Sequence, residues 1–175
     1  AGIARDDKGG LNQKQAWSTH SANEILIGTL GMANNNGENQ VRLERNQFLL
    51  WGDNGKPKKP TFYMVNRAAE HINFRFEAIW KVQNTNQVGT VRVAWPRSNR
   101  NFSLLQSNDS TFENIQTITP MDQIIHINGK EYIYADVLLQ DNTYFTLGIH
   151  GVAPGGVLRG LSHWYRADQA LTGKI

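Results

Sequence analysis

The sequence predicts an all-β fold, an antiparallel β-sandwich of immunoglobulin-like or jelly-roll-like type, with about ten strands and minimal helix. Three observations predict it. Apolar and polar residues alternate through "FRFEAIWKV" (74–82) and "VRVAW" (91–95), the period of a strand with one face buried and one wet. Asn128-Gly129 separates two further alternating runs, and Asn-Gly tolerates the two positive φ angles of a two-residue hairpin turn. Finally, no 3.6-residue apolar periodicity alternates with these strands, as a βα architecture would require.

The elements follow in order. "GIAR" (2–5), "NEILIG" (23–28), "QFLLWG" (47–52) and "TFYMV" (61–65) are short β-rich runs between polar or glycine-rich connectors. "ANNNGEN" (33–39) and "GDNGKPKKP" (52–60) read as exposed loops, the second because Pro57 and Pro60 interrupt any ladder. Phe74, Phe76, Ala78, Trp80 and Val82 share one face of the next run, and Arg75, Glu77, Ile79, Lys81 and Gln83 share the other. After the break Asn84–Gln87, Val91, Val93 and Trp95 alternate with Thr90, Arg92 and Ala94. Residues 74–95 are therefore expected to form the central antiparallel hairpin of the sandwich, with Phe76 and Trp80 buried. "DQIIHINGKEYIYADVLL" (122–139) is a second hairpin, turning at Asn128-Gly129. "TYFTLGI" (143–149) is a strand with Phe145, Leu147 and Ile149 inward. Helix is expected only as single turns, in "VNRAAEHI" (65–72) and "RADQALTG" (166–173).

Composition narrows the function classes. A chain of 175 residues with 39% hydrophobic and 19% charged residues can bury a full core as one domain. Its formal charge of +3 is the excess of 18 dispersed Lys and Arg, without a basic run, over 15 Asp and Glu, so nucleic acid is not an expected partner. There is no cysteine, which removes disulfides, thiolate metal sites and cysteine nucleophiles. No apolar run approaches the roughly 20 residues of a membrane helix, so no membrane insertion is expected of this segment. "AGIARDDKGG" lacks the regions of a signal peptide, and the missing initiator Met suggests a piece of a longer chain.

Catalytic signatures are absent from the sequence. His20, His71, His126, His150 and His163 form no HxH or HxxxH pair, and no GxSxG, P-loop or dinucleotide fingerprint occurs, so the expectation is a non-enzyme. His126 reads as an outward-facing strand residue. Asp6, Asp7, Asp53 and Asn54 are candidate metal ligands, because calcium takes hard oxygens from loops and these loops would meet if they share one end of the sandwich. The alternative is that the same side chains cap turns. Trp51 and Trp95, each near a strand end, are candidate ligand residues through aromatic stacking on sugar rings, whereas Trp80 is assigned to the core by its alternation. Asn101 and Asn108 begin Asn-x-Ser sequons, which carry meaning only in a eukaryotic secreted chain.

The strings "AGIARDDKGGLNQKQAWS", "EILIG", "FLLWGDNG", "FEAIWKVQNTNQVGTVRV" and "YFTLG" together resemble a module that recurs in very large bacterial cell-surface and adhesin-like proteins. "GIARDD", "LNQKQ", "WGDNG" and "WKVQNTNQVGTV" carry the resemblance, in order, over roughly residues 2–148. The resemblance implies an extracellular, cell-surface or secreted bacterial setting beside laminin-G or concanavalin-like lectin domains. It brings no catalytic residues. The implied division is a sandwich module over 1–150, followed by 151–175 as a linker and opening strand of a lectin-like neighbour, or as the closing strand of the module itself. The expected function is a structural or adhesive module that spaces or presents neighbouring binding domains, with those domains and a glycan or host-surface ligand as partners. A carbohydrate-binding module using exposed aromatics is the alternative, and part of a glycan-active enzyme the third reading. No cofactor is firmly expected; a calcium ion at Asp6, Asp7, Asp53 and Asn54 is the one candidate.

Overall fold

The computed structural model describes residues 1–18, 25–63 and 72–150. Among these there is no helix. Residues 65–71 of the first expected helical turn, all of 166–173, the 151–175 tail, His20, His71 and His163 lie outside the described residues.

Fourteen strands are present among the described residues: β1 Gly2–Asp6, β2 Leu11–Gln13, β3 Gln15–Trp17, β4 Leu26–Gly28, β5 Phe48–Asp53, β6 Phe62–Tyr63, β7 Ile72–Arg75, β8 Trp80–Thr85, β9 Val91–Pro96, β10 Phe102–Ser107, β11 Ile115–Pro120, β12 Gln123–Ile127, β13 Lys130–Val137 and β14 Tyr144–His150. They form two antiparallel sheets, the expected sandwich. The larger has nine strands in the order β11-β10-β14-β8-β5-β1-β2, with β7 also on β14 and β6 on β7. The smaller has five, in the order β12-β13-β9-β4-β3. Ile72, assigned to a helical turn from sequence, instead begins β7.

The core lies between the sheets and draws from both. Trp80 stacks on Phe145 at 5.3 Å, and Phe76, in the link between β7 and β8, meets Trp95 of the smaller sheet edge-on at 5.1 Å. Phe76 and Trp80 are buried as expected, and so are Ala78 and Val82 on the same face.

The expected hairpin over 74–95 is not formed. β8 pairs with β5 and β14 in the larger sheet, whereas β9 pairs with β13 and β4 in the smaller. The chain thus arches across the core instead of folding back in plane. Asn86 and Gln87 take positive φ (57° and 52°), and the Asn84 side chain accepts from the Val88 amide at 2.8 Å while donating to the carbonyls of Val88 and Leu139 at 3.0 and 2.7 Å. These bonds redirect the backbone toward the second sheet, and Val88 is buried beneath them. Alternation states which face a residue occupies, and it is silent on which strand lies alongside.

Two chain segments close the flanks by changing sheets, as strands do at sandwich corners. β2 passes through buried Lys14 into β3, and β11 passes through Met121 and Asp122 into β12. The outer face of the larger sheet is also less wet than alternation implies. Arg75 is buried there, its guanidinium donating to the carbonyls of Phe76 and Thr111 at 2.8 and 3.4 Å and lying 5.3 Å from the Phe112 ring centroid. The 108–114 loop has folded over Ile72 and Leu105 to make a satellite cluster with Phe112.

Candidate functional site

The four candidate metal ligands do not converge. β1 and β5 are antiparallel with Gly2 opposite Leu50 and Ala4 opposite Phe48, which sends Asp6 and Asp53 to opposite ends of the ladder. They are separated by about seven residues of strand, roughly 23 Å at about 3.3 Å per residue. Each group is engaged locally. Asp6 accepts from the Lys8 amide at 3.0 Å, and Asp7 pairs with Arg5 at 2.9 Å and Arg45 at 3.7 Å. Asp53 pairs with Lys58 at 3.0 Å and accepts from the Gly55 amide at 2.8 Å. Asn54 accepts from the amides of Lys56 and Ile79 at 3.2 and 3.1 Å and donates to the Glu77 carbonyl at 3.1 Å. The hydrogen bonds from Arg5 hold the Asp7 carboxyl below its ordinary range. The set does not fit a calcium ion, which needs its oxygens around one point. Among the described residues, no group of three or more His, Asp or Glu is arranged to hold a metal.

The two candidate stacking tryptophans are also corrected. Trp51 and Trp95 are only 3% and 8% exposed, and both belong to the central core. Parity decides this: Trp51 shares its face with Leu49, and Trp95 with Val93, so a position near a strand end gives neither ring to solvent. His126 points outward as expected, 3.2 Å from the Glu131 carboxylate.

A different site appears on the outer face of the larger sheet. On β5, Leu49 and Trp51 are buried, so Leu50 and Gly52 face outward. On β8, Trp80 and Val82 are buried, so Lys81 and Gln83 face outward. Register sets Leu50 opposite Gln83, Gly52 opposite Lys81, and Lys81 opposite Tyr144 of β14. Beside them the turn before β14 is laced to β8: the Asn142 amide donates to the Val82 carbonyl at 3.1 Å, and Asp141 Oδ1 accepts from the Asn84 amide at 2.8 Å. The result is an open groove of about 580 Å³. Its floor is the bare backbone at Gly52, and Leu50, Asp53, Lys81, Gln83, Asp141 and Asn142 stand around it. Lys81 Nζ lies 5.8 Å from the Tyr144 ring centroid, a cation–π distance that orients the ammonium.

Sequence reasoning missed this groove because its residues come from three separate segments. The available signal was small: a glycine at the outward parity of a strand that otherwise reads as continuous. A second missed feature is a buried polar network. Lys14, Gln15, Thr29 and Asn39 are all buried. Lys14 Nζ donates to the Asn39 carbonyl, Thr29 Oγ1 to Asn39 Oδ1 at 2.9 Å, and Gln15 exchanges two bonds with the backbone of Ala33 at 2.7 and 2.9 Å. The Asn-rich 33–39 segment is the largely exposed loop expected, and this network ties it down through buried Asn39.

Set against known proteins, the chain matches no curated protein and no solved structure. One family model does match, over residues 1–143, and on that span the chain belongs to the family described as a domain of unknown function (DUF8202).

Proposed function

We propose that this chain is a non-catalytic structural or adhesive module of a bacterial extracellular multidomain protein, where it spaces or presents neighbouring binding domains. One observation carries the reading: the polar side chains in its distinctive strings bind backbone. Gln15 of "LNQKQ" holds Ala33, Asn54 of "WGDNG" holds residues 77 and 79, and Asn84 of "WKVQNTNQVGTV" holds residues 88 and 139. Residues engaged in this way serve rigidity, the property a spacer needs, and hydrogen bonds to otherwise orphaned backbone groups are costly to lose. The bacterial surface setting rests on the resemblance of the same strings.

The test is replacement in the native surface protein. Exchanging this module for an unrelated rigid β-sandwich of matching length is expected to preserve cell adhesion and antibody access to the neighbouring domains, whereas deleting it reduces both. Loss of adhesion on exchange, with the neighbours still accessible, would overturn the spacing role and leave an adhesive one. Antibody labelling of intact cells checks the surface location.

A further inference from the structure

We propose that the outer-face groove at Gly52 is a binding site for a neutral oligosaccharide, a ligand that the spacing role neither requires nor assigns. The first observation is the glycine itself. Gly52 lies inside β5 without a positive φ, and a Cβ added there would meet nothing within 4 Å. Neither turn geometry nor packing therefore demands glycine, although glycine within a strand weakens it relative to alanine. What its bareness does is let another molecule approach the sheet backbone closely.

The chemistry around that floor selects the ligand class. The charged side chains are Asp53, Asp141 and Lys81, and Asp53 is matched by Lys58 at 3.0 Å. One charge of each sign remains, so the groove favours neither a polyanion nor a polycation. Among the described residues the exposed amides of Gln83 and Asn142 make no side-chain hydrogen bond, which leaves donors and acceptors for hydroxyl groups. Exposed Leu50 and the bare Gly52 backbone offer an apolar surface for the C–H face of a sugar ring. An extended peptide is a poor match, because peptide strands add to sheet edges and this groove lies on a face whose β5 and β8 backbones already pair with each other. The volume of about 580 Å³ falls within the usual range of ligand clefts, about 300–1,000 Å³.

The experiment is a titration of the isotope-labelled chain, followed by amide chemical shifts, with neutral oligosaccharides (gluco-, xylo-, galacto- and N-acetylglucosamine-based) and with acidic ones (oligogalacturonate and sialylated glycans). At least one neutral class is expected to give saturable shifts centred on Gly52, Lys81, Gln83 and Asn142. Gly52→Val, which fills the floor, is expected to weaken that binding by about tenfold or more while leaving Tm unchanged or raised, since valine suits a strand. Gln83→Ala and Lys81→Ala, both at exposed positions, carry the same test without touching the floor and are expected to weaken binding too. The proposal is overturned if no neutral class moves these resonances, if only acidic glycans bind, if the shifts centre elsewhere, or if all three variants bind as the wild type does.

Discussion

Single side chains carry unequal weight in this molecule. Trp80 is fully buried and stacked on Phe145 at 5.3 Å, so truncating it removes both burial and ring contact. Trp80→Ala is expected to cost about 3–5 kcal/mol, read as a lowered urea midpoint. A loss below about 1 kcal/mol would mean that the core closes over the gap more completely than large aromatic sites usually allow. Asp109 works through charge instead. The Thr111 hydroxyl at 2.5 Å, then the Ser107 hydroxyl and nearby amides, pull its pKa from an ordinary 3.8 to about 2. The folded state thus binds its proton less readily than the unfolded chain, so the stabilisation is complete above the unfolded value and disappears as pH falls through the folded one. The stability gap between wild type and Asp109→Asn is expected to narrow between about pH 4 and about pH 2. A gap that stays constant over that interval would remove the carboxylate from the account. Trp80 was legible from alternation alone; Asp109 was not, because its partners are set by how the loop closes.

Among the elements, the two turns in the clearest patterns behaved differently. Asn128 and Gly129 take φ of 50° and 75°, with Ile127 paired to Lys130, the two-residue hairpin that Asn-Gly predicts. Gly129→Val is expected to lower stability by about 1–2 kcal/mol, because a β-branched residue resists the left-handed region. An unchanged Tm in that variant would count against strain at this turn. The connection between β8 and β9 looked like a hairpin of the same kind and is an arch. Nothing in "QNTNQVG" specifies an in-plane reversal, and Asn84 settles the matter by bonding to Val88 and to Leu139, the latter far away in sequence. Removing that side chain in Asn84→Ala is expected to cost about 1–3 kcal/mol through the unpaired backbone groups it leaves, measured by chemical denaturation. If the variant matched the wild type, water or a shifted loop would be replacing those bonds.

At the scale of the whole molecule, the strands of the two sheets interleave along the chain. β3 and β4 of the smaller sheet fall between β2 and β5 of the larger, and β9 falls between β8 and β10. Neither sheet can leave without breaking the chain path of the other. Unfolding of this sandwich is therefore expected to be one cooperative transition, with far-UV and near-UV signals coinciding; two separated transitions would contradict a shared core. Thermal unfolding is also expected to be the same in excess calcium and in chelator, because Asp6 and Asp7 lie at the opposite end of the β1–β5 ladder from Asp53 and Asn54. A rise in Tm with calcium would point to a site outside these four residues.

The sequence by itself determined the all-β class, the inward faces of the main strands, the burial of Phe76 and Trp80, and the Asn128-Gly129 turn. These are properties of one residue and its near neighbours, written in period-two alternation and in φ preference. Only the tertiary structure decided that β8 and β9 belong to different sheets, that the acidic loops stand apart, and that Gly52, Lys81, Gln83 and Asn142 share a groove. Each of those depends on which strands lie side by side. Pairing is chosen by packing across the core and by side-chain bonds such as those of Asn84, which join residues that no local pattern connects.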